Sequence, residues 1–382
     1  MEIYVRNPYE NYEIIAILDS FTSLIWTKRY YTCGDFELYL PADNSLLDIL
    51  RPNMFITRDD DDSVMVIERF NIKTDAENGD YFIVGGRTLE SILYRRIFDR
   101  QFNLNNTGTL ADAVQAMVTE CTTNRDGTAA HPRTYRQIPN LTVDTSTSFD
   151  GTMNVQFTGQ TLLDGIFSVC NPRNIGVKMT LSSGLLLLSL YQGSEIETTF
   201  SPEFDNLVNS SYVYDITQYT NSIEVAGEGE GTDRKSLTSL FFDPENAPEA
   251  GLDLYESFVD ARNISSNNGE IPIADYFDLL SEKAEQVHSE RENTKAFEAE
   301  VEPLASFQYK TDWNLGDIVT VTNEYDITAY PRIVEVIESW DESGYKVIPT
   351  FDALEVSKRM ILRDSDGYVL KDSTGAFICV RE

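Results

Sequence analysis

Apolar and polar side chains alternate with a period of two through most of this chain, and in four places the period lengthens to that of a helix. Residues 1–97 read mainly as strands. Residues 12–18 are strongly apolar, 22–31 carry Leu24 and Trp26 on one face, and 35–40 alternate cleanly until Pro41 stops them. Residues 54–58 and 63–73 form a further pair across the run Asp59, Asp60, Asp61 and Asp62, and the strand 81–85 ends in Gly85 and Gly86. Thr88 is placed as the N-cap of a helix whose Leu89, Ile92, Leu93 and Arg96 share a face.

Residues 98–199 mix the two periods. Leu110, Val114, Met117 and Val118 predict an amphipathic helix over 109–121, with Thr109 as cap and Asp112 as its partner in the first turn. Residues 124–132 are a polar loop, 154–158 a strand and 160–170 a second helix. Residues 175–181 and 185–191 make a hairpin through Ser182, Ser183 and Gly184. Sheet character returns at Phe200, with strands over 212–217, 222–226 and 252–262. The long helix 275–296 carries Phe277, Leu280, Ala284 and Val287 as a narrow stripe that lies on its own sheet.

Four alternating runs, 297–302, 309–321, 330–338 and 345–351, predict antiparallel strands. Leu315, Gly316 and Asp317 turn the chain into the second run. Asp341, Glu342, Ser343 and Gly344 form a hairpin loop, because glycine accepts the positive φ that such a turn demands. At the end, Asp364-Ser365-Asp366-Gly367 is echoed by Asp372-Ser373-Thr374-Gly375, each bracketed by apolar residues, which predicts a small β-meander needing a surface to dock on. The expected class is α+β, mainly β: sheet-rich blocks over 1–97 and 200–356, the latter with the helix 275–296, an α+β insertion over 98–199, and a β-extension over 357–382.

The composition adds a strong sign. There are 63 acidic against 30 basic residues, a formal charge of −33, and the acids are spread along the whole chain. Phosphate binding requires Lys and Arg to displace counterions, so stable nucleic-acid binding is not expected. The N-terminal residues do not read as a secretion signal, and the densest apolar run, 185–191, is too short for a membrane anchor, since a span takes about 20 apolar residues. The expectation is a soluble protein made in the cytoplasm.

Candidate chemistry is sparse. Gly227, Gly229 and Gly231 follow a strand, but Glu228 and Glu230 stand in the loop and no helix is predicted directly after it, so a turn is expected in place of a phosphate cradle. Neither Asp59 to Asp62 nor Asp364 and Asp366 has the spacing of a calcium loop, so no dedicated metal is expected. Cys33, Cys121, Cys170 and Cys379 are widely separated and read as small buried hydrophobes. The two histidines, His131 in a polar loop and His288 on a charged helix face, have no nucleophile or metal-ligand pattern around them. No catalytic, cofactor-binding or metal-binding residue is assigned, and no enzyme activity is expected.

Six short motifs, in order, nevertheless carry a likeness. They are Trp26 with Gly34, Asp35, Phe36, Glu37, Leu38 and Pro41; Gly85-Gly86-Arg87-Thr88-Leu89 with Leu93, Tyr94, Arg95, Arg96 and Ile97; Phe200-Ser201 with Asn206 and Leu207; Tyr219-Thr220-Asn221 with Val225-Ala226-Gly227; Val259-Asp260-Ala261-Arg262; and Asp312-Trp313-Asn314-Leu315-Gly316-Asp317-Ile318-Val319. Across residues 12–351 the chain resembles the tail-associated, baseplate-hub proteins at the tip of long-tailed bacteriophages.

That resemblance implies that 1–97 and 200–356 are two tail-tube-like β-barrel domains, so that a homotrimer presents a ring of six. It implies a place at the virion tail tip, with the distal tail protein, the tape-measure protein and receptor-binding or fibre proteins as partners and the ring gating passage of tape measure and DNA. An acidic channel wall would let DNA slide past without lasting contacts. Many relatives carry a long C-terminal region with peptidase, lysin or fibre-like domains; this chain ends at Glu382, which argues against wall-degrading activity. Two alternatives stay open at this point: a cell-wall hydrolase or carbohydrate-binding tip protein, and the hub of a bacteriocin-like or other tail-like injector.

Overall fold

Seven strands open the chain in a computed structural model that describes residues 1–74, 79–122, 134–206, 209–241, 251–291, 294–300, 307–322, 328–352, 359–361 and 379–381. They are β1 (Ile3–Asn7), β2 (Glu13–Leu18), β3 (Ser23–Arg29), β4 (Asp35–Pro41), β5 (Phe55–Arg58), β6 (Asp61–Lys73) and β7 (Tyr81–Thr88). They hydrogen-bond in the order β2-β1-β5-β6-β7-β4-β3, every pair antiparallel. Alternate residues of β1 and β4 are buried, as a half-buried strand requires. Ile3, Val5, Leu24, Trp26, Phe36, Leu38, Ile56 and Val84 thereby share one core, each such side chain contributing about 1.5–3 kcal/mol.

The expected helix after Gly86 is a correction. Residues Leu89–Arg95 form a 3-10 helix, Arg96 is extended, and Thr88 makes no side-chain cap. The Thr88 hydroxyl is already engaged: it accepts from the Gly34 N–H at 3.0 Å and donates to the Glu90 carboxylate. Leu89, Glu90, Ser91, Ile92 and Leu93 are all buried, so within this turn only Tyr94 and Arg95 reach water.

The mixed segment holds β8 (Phe102–Asn106), α1 (Leu110–Thr122), β9 (Leu141–Val143), β10 (Met153–Phe157), α2 (Leu162–Cys170), β11 (Gly176–Ser182) and β12 (Leu185–Tyr191). The capping box predicted for α1 is present: the Asp112 N–H donates to Thr109 Oγ1 at 3.2 Å and the Thr109 N–H to Asp112 Oδ2 at 2.9 Å. The β11–β12 hairpin turns at Ser183 and Gly184 as expected, with Gly184 at φ 78°. Both helices pack with this hairpin in a second core that includes Leu93, Phe98, Met117, Ile166 and Leu188. The loop expected at 124–132 lies outside the described residues.

The remaining strands are β13 (Glu195–Phe200), β14 (Asn209–Asp215), β15 (Ser222–Ala226), β16 (Ser236–Leu240) and β17 (Glu256–Asp260), followed by helix α3 (Ile273–Glu290) and strand β18 (Thr294–Glu300). Helix α3 ends before residue 296, because the chain is extended again from Thr294. Its buried side chains are Tyr276, Leu279, Leu280, Ala284 and Val287, so the stripe is wider than the one predicted: it adds Leu279 and begins at Tyr276 in place of Phe277. It covers the sheet β16-β15-β17, which the expectation of its own sheet anticipated.

Strands β19 (Ile318–Thr322), β20 (Thr328–Ala329), β21 (Ile333–Asp341) and β22 (Gly344–Phe351) follow. One expectation for 297–351 is corrected and another gains a partner it did not foresee. Residues 309–317 are turns joined by a Tyr309–Trp313 bridge; β18 pairs with β22 and β19 with β20 antiparallel as expected, while β19 also runs parallel to β13. The hairpin loop holds, with Gly344 at φ 115° and the Ser343 N–H on Asp341 Oδ1 at 2.7 Å. At the end, β23 (Arg359–Ile361) pairs with β24 (Cys379–Arg381); both repeated turns lie outside the described residues.

Two units emerge, each from separate stretches: residues 1–192, 215–293 and 335–346 in one, and 193–214, 294–334 and 347–382 in the other. In the second unit β14-β18-β22 form one sheet order and β13-β19-β20 another. In the first, Glu335 to Trp340 of β21 lie antiparallel along β3, with Glu338 opposite Trp26.

Candidate functional site: a buried charge cluster

Strand alternation places Trp26 and Lys28 in one inward row of β3, Ile56 and Arg58 in one of β5, and Val336, Glu338 and Trp340 in one of β21. The charged ends of these rows meet. Arg58 Nη1 and Nη2 donate to Glu338 Oε2 and Oε1 at 3.3 and 3.2 Å, and Nε and Nη2 donate to the two oxygens of Asp60 at 2.8 and 2.7 Å. Lys28 Nζ lies 2.5 Å from Asp61 Oδ2 and 3.7 Å from Glu338 Oε2, and the Tyr345 hydroxyl donates to Glu338 Oε1 at 3.0 Å. Trp26 Nε1 reaches Ser63 Oγ at 2.9 Å, and Ser63 is tied to Asp61.

The Arg58 guanidinium also lies against two indoles, 4.2 Å from the Trp340 ring centre and 5.2 Å from that of Trp26. Burial alone would penalise its charge. Its hydrogen bond to Asp60 and the charge of Glu338 outweigh that penalty and hold the pKa above the ordinary arginine value. Two cations thus face three carboxylates, each carboxylate ion-paired within the cluster. What such a cluster can do is fasten β21 to β3 and β5 in a single register.

Beside it, a groove of 980 Å³ is lined by Tyr4, Arg6, Asp62, Lys178 and Ser183, with both signs of charge on its walls. A smaller cavity of 70 Å³ beside α3 is lined by Glu282, Lys283 and Gln160 among others. Burial raises the pKa of Glu282 and lowers that of Lys283.

The residues weighed from sequence fall into architectural roles. Glu228, in the Gly227–Gly231 turn, accepts from Lys235 at 2.7 Å and from the Ser266 N–H at 2.9 Å, and these bonds pull its pKa down to about 2. A 3-10 turn of three residues follows that loop. Asp60 and Asp61 serve the cluster above. Cys33, Cys121 and Cys170 are buried thiols, and burial raises those of Cys33 and Cys170. His288 is half-buried, stacked on Phe241 at 4.0 Å with Nδ1 3.0 Å from the Thr220 carbonyl, and not on a solvated face as expected. His131, Asp364 and Asp366 lie outside the described residues. Among the described residues no group of three or more His, Cys, Asp or Glu could hold a metal, and no helix is long and apolar enough to cross a membrane.

The motifs that carried the likeness also hold turns in place. Asn206 bonds the Ser201 N–H at 3.0 Å and the Thr199 carbonyl at 2.8 Å. Asn221 bonds the Asp253 carbonyl and the Tyr255 N–H, both at 2.8 Å. Asp317 accepts from the N–H groups of Ser194 and Asn314, both at 2.8 Å, and Trp313 packs edge-on to Phe200. The signal that sequence reasoning missed was the placing of Lys28, Arg58 and Glu338 in apolar rows.

The sequence model of the Siphovirus ReqiPepy6 Gp37-like protein family matches residues 2–351. No curated protein matches the chain in sequence. Among solved structures, the 43 kDa tail protein of prophage MuSo2 from Shewanella oneidensis is similar at a TM-score of 0.56 and 14% identity, over 92% of this chain and 98% of that one. A tail protein from Neisseria meningitidis MC58 is similar at 0.56 and 13%, over 92% and 95%. Prophage tail protein gp18 from Listeria monocytogenes EGD-e is similar at 0.50 and 13%, over 92% and 94%. At these identities the likeness is one of fold.

Proposed function

The chain belongs to the Siphovirus ReqiPepy6 Gp37-like family of siphovirus tail proteins, and from that premise we propose that it is the hub of the tail tip, a ring of three copies that continues the tail tube. A structural role in a phage tail is supported by the family together with the fold shared with solved tail proteins. The observation that carries the finer reading is the fold shared with three tail proteins, two of them from prophages, across 92% of the chain. In this reading residues 1–97 and 200–356 supply tube-like walls, 98–199 are an insertion, and 357–382 are an extension that docks on a neighbour.

Function is then assembly. The ring seats the distal tail protein and the receptor-binding or fibre proteins, and opens for the tape-measure protein and DNA. The formal charge of −33 per copy supports a wall that DNA passes without sticking. The cluster around Arg58 serves this role by holding β21 rigidly, with no bond-breaking chemistry. Light scattering and negative-stain microscopy of the purified full chain, alone and with the distal tail protein, test the reading. Threefold rings support it; a monomer under both conditions overturns it. Incubation with peptidoglycan should release no fragments.

A further inference from the structure

β2 is an end strand of the first unit: among the described residues it pairs with β1 and with no other strand. Its outer row is apolar, with Ile14 and Ile17 46% and 54% exposed. Between Glu13 and Asp19 it reads Ile14, Ile15, Ala16, Ile17, Leu18, without the Lys, Pro or inward charge that ordinarily protects an edge from pairing. The one irregularity is the register shift beside Ile15, beyond which Ala16, Ile17 and Leu18 run on in register with β1.

Charge narrows what covers this edge. A basic partner would be met by carboxylates, which this chain has in abundance, whereas two copies at −33 each can approach closely through uncharged surface alone. The chain holds a second strand of the same kind. Among the described residues β14 ends the order β14-β18-β22 in the other unit; it is uncharged from Asn209 to Tyr214, and Val213 is 45% exposed. Two unlike edges in one chain are what a head-to-tail ring requires, since like-to-like contact closes as a dimer.

We infer that β2 of one copy pairs with β14 of the next, joining copies through a continuous sheet. This rests on the ring reading above and names the surfaces that make it. Its test uses the full chain in a Cys379→Ser background, which leaves the buried thiols. Reduced Ile17→Cys and Val213→Cys variants are oxidised each alone and as a mixture, and a covalent dimer in the mixture that neither variant gives alone is expected. Ile17→Lys, at an exposed position, should keep its circular dichroism spectrum and raise the assembly midpoint at least about tenfold.

A dimer from Ile17→Cys alone would mean that the strand meets its own copy, and would overturn the inference. Rings that survive Ile17→Lys without any cross-link would overturn it while leaving the ring reading intact. A monomer at every concentration would end both.

Discussion

Arg58 and Glu338, 280 residues apart in the chain, face each other as a two-point ion pair at 3.2 and 3.3 Å, with side chains 0% and 1% exposed. Removing Glu338 takes from the buried guanidinium one of its two carboxylates and leaves it Asp60, so the cost should fall at the low end of the about 3–5 kcal/mol typical of breaking a buried pair. Glu338→Ala should therefore destabilise the first unit by about 3 kcal/mol in urea unfolding, followed by tryptophan fluorescence. Arg58→Met with Glu338→Leu should cost less than either single change, because both charges leave together. A loss below about 1 kcal/mol for Glu338→Ala would show that water reaches the pair.

Gly86 sits where β6 slips register between Ile67 and Arg69. A Cβ there would lie 1.8 Å from the Val66 carbonyl oxygen, a backbone atom that cannot swing away. Gly86→Ala should cost on the order of 3 kcal/mol, because β6 and β7 must separate to admit it. Gly159 is the control: its surroundings are open and only its φ of 77° is unfavourable, so Gly159→Ala should cost about 1 kcal/mol. Equal melting temperatures for the two variants would refute the close approach.

Local rules were readable before any coordinates. Thr109 with Asp112 announced α1, and Gly344 announced its hairpin, because each acts within a few residues. Thr88 misled because the Gly34 N–H, 54 residues away, claims its hydroxyl. Residues 318–322 were visible as a strand, but their parallel pairing with β13 depends on a distant segment and leaves no mark in alternation. The charge cluster was half legible: the inward phase of Lys28, Arg58 and Glu338 predicts burial, while their partnership is a matter of topology. The weaving of two units from separate stretches is likewise invisible to periodicity.

Glu228 provides a test on the acid side. Its bonds to Lys235 and Ser266 lower the folded pKa to about 2, below the ordinary 4.5 of the unfolded chain. A depressed carboxyl stabilises the fold above the unfolded value, and that contribution is lost as pH falls through about 2. Glu228→Gln should thus cost stability at pH 7 and converge with the parent at the acid limit. Water screens this partly exposed group, which keeps the cost under about 1 kcal/mol. A difference that does not change with pH would assign the loss to packing.

Glu90 should act in the opposite sense. It is 5% exposed within the 3-10 turn, and burial pushes its pKa up to about 7, against the pull of its bonds to the Thr88 hydroxyl and to the backbone N–H groups of Glu90 and Met179. The folded state therefore favours the neutral acid, so this contribution is fully present below pH 4.5 and is lost as pH rises through about 7. Above that, a carboxylate must be held among Cys33, Leu89 and Leu93, at a cost on the order of 3 kcal/mol. Glu90→Gln removes the ionisation and keeps the shape, so it should match the parent near pH 4 and melt higher at pH 8. The gain should appear progressively between those limits. If the variant instead melts lower at pH 8, the ionised carboxylate is the form the fold prefers, and burial is not what sets its charge.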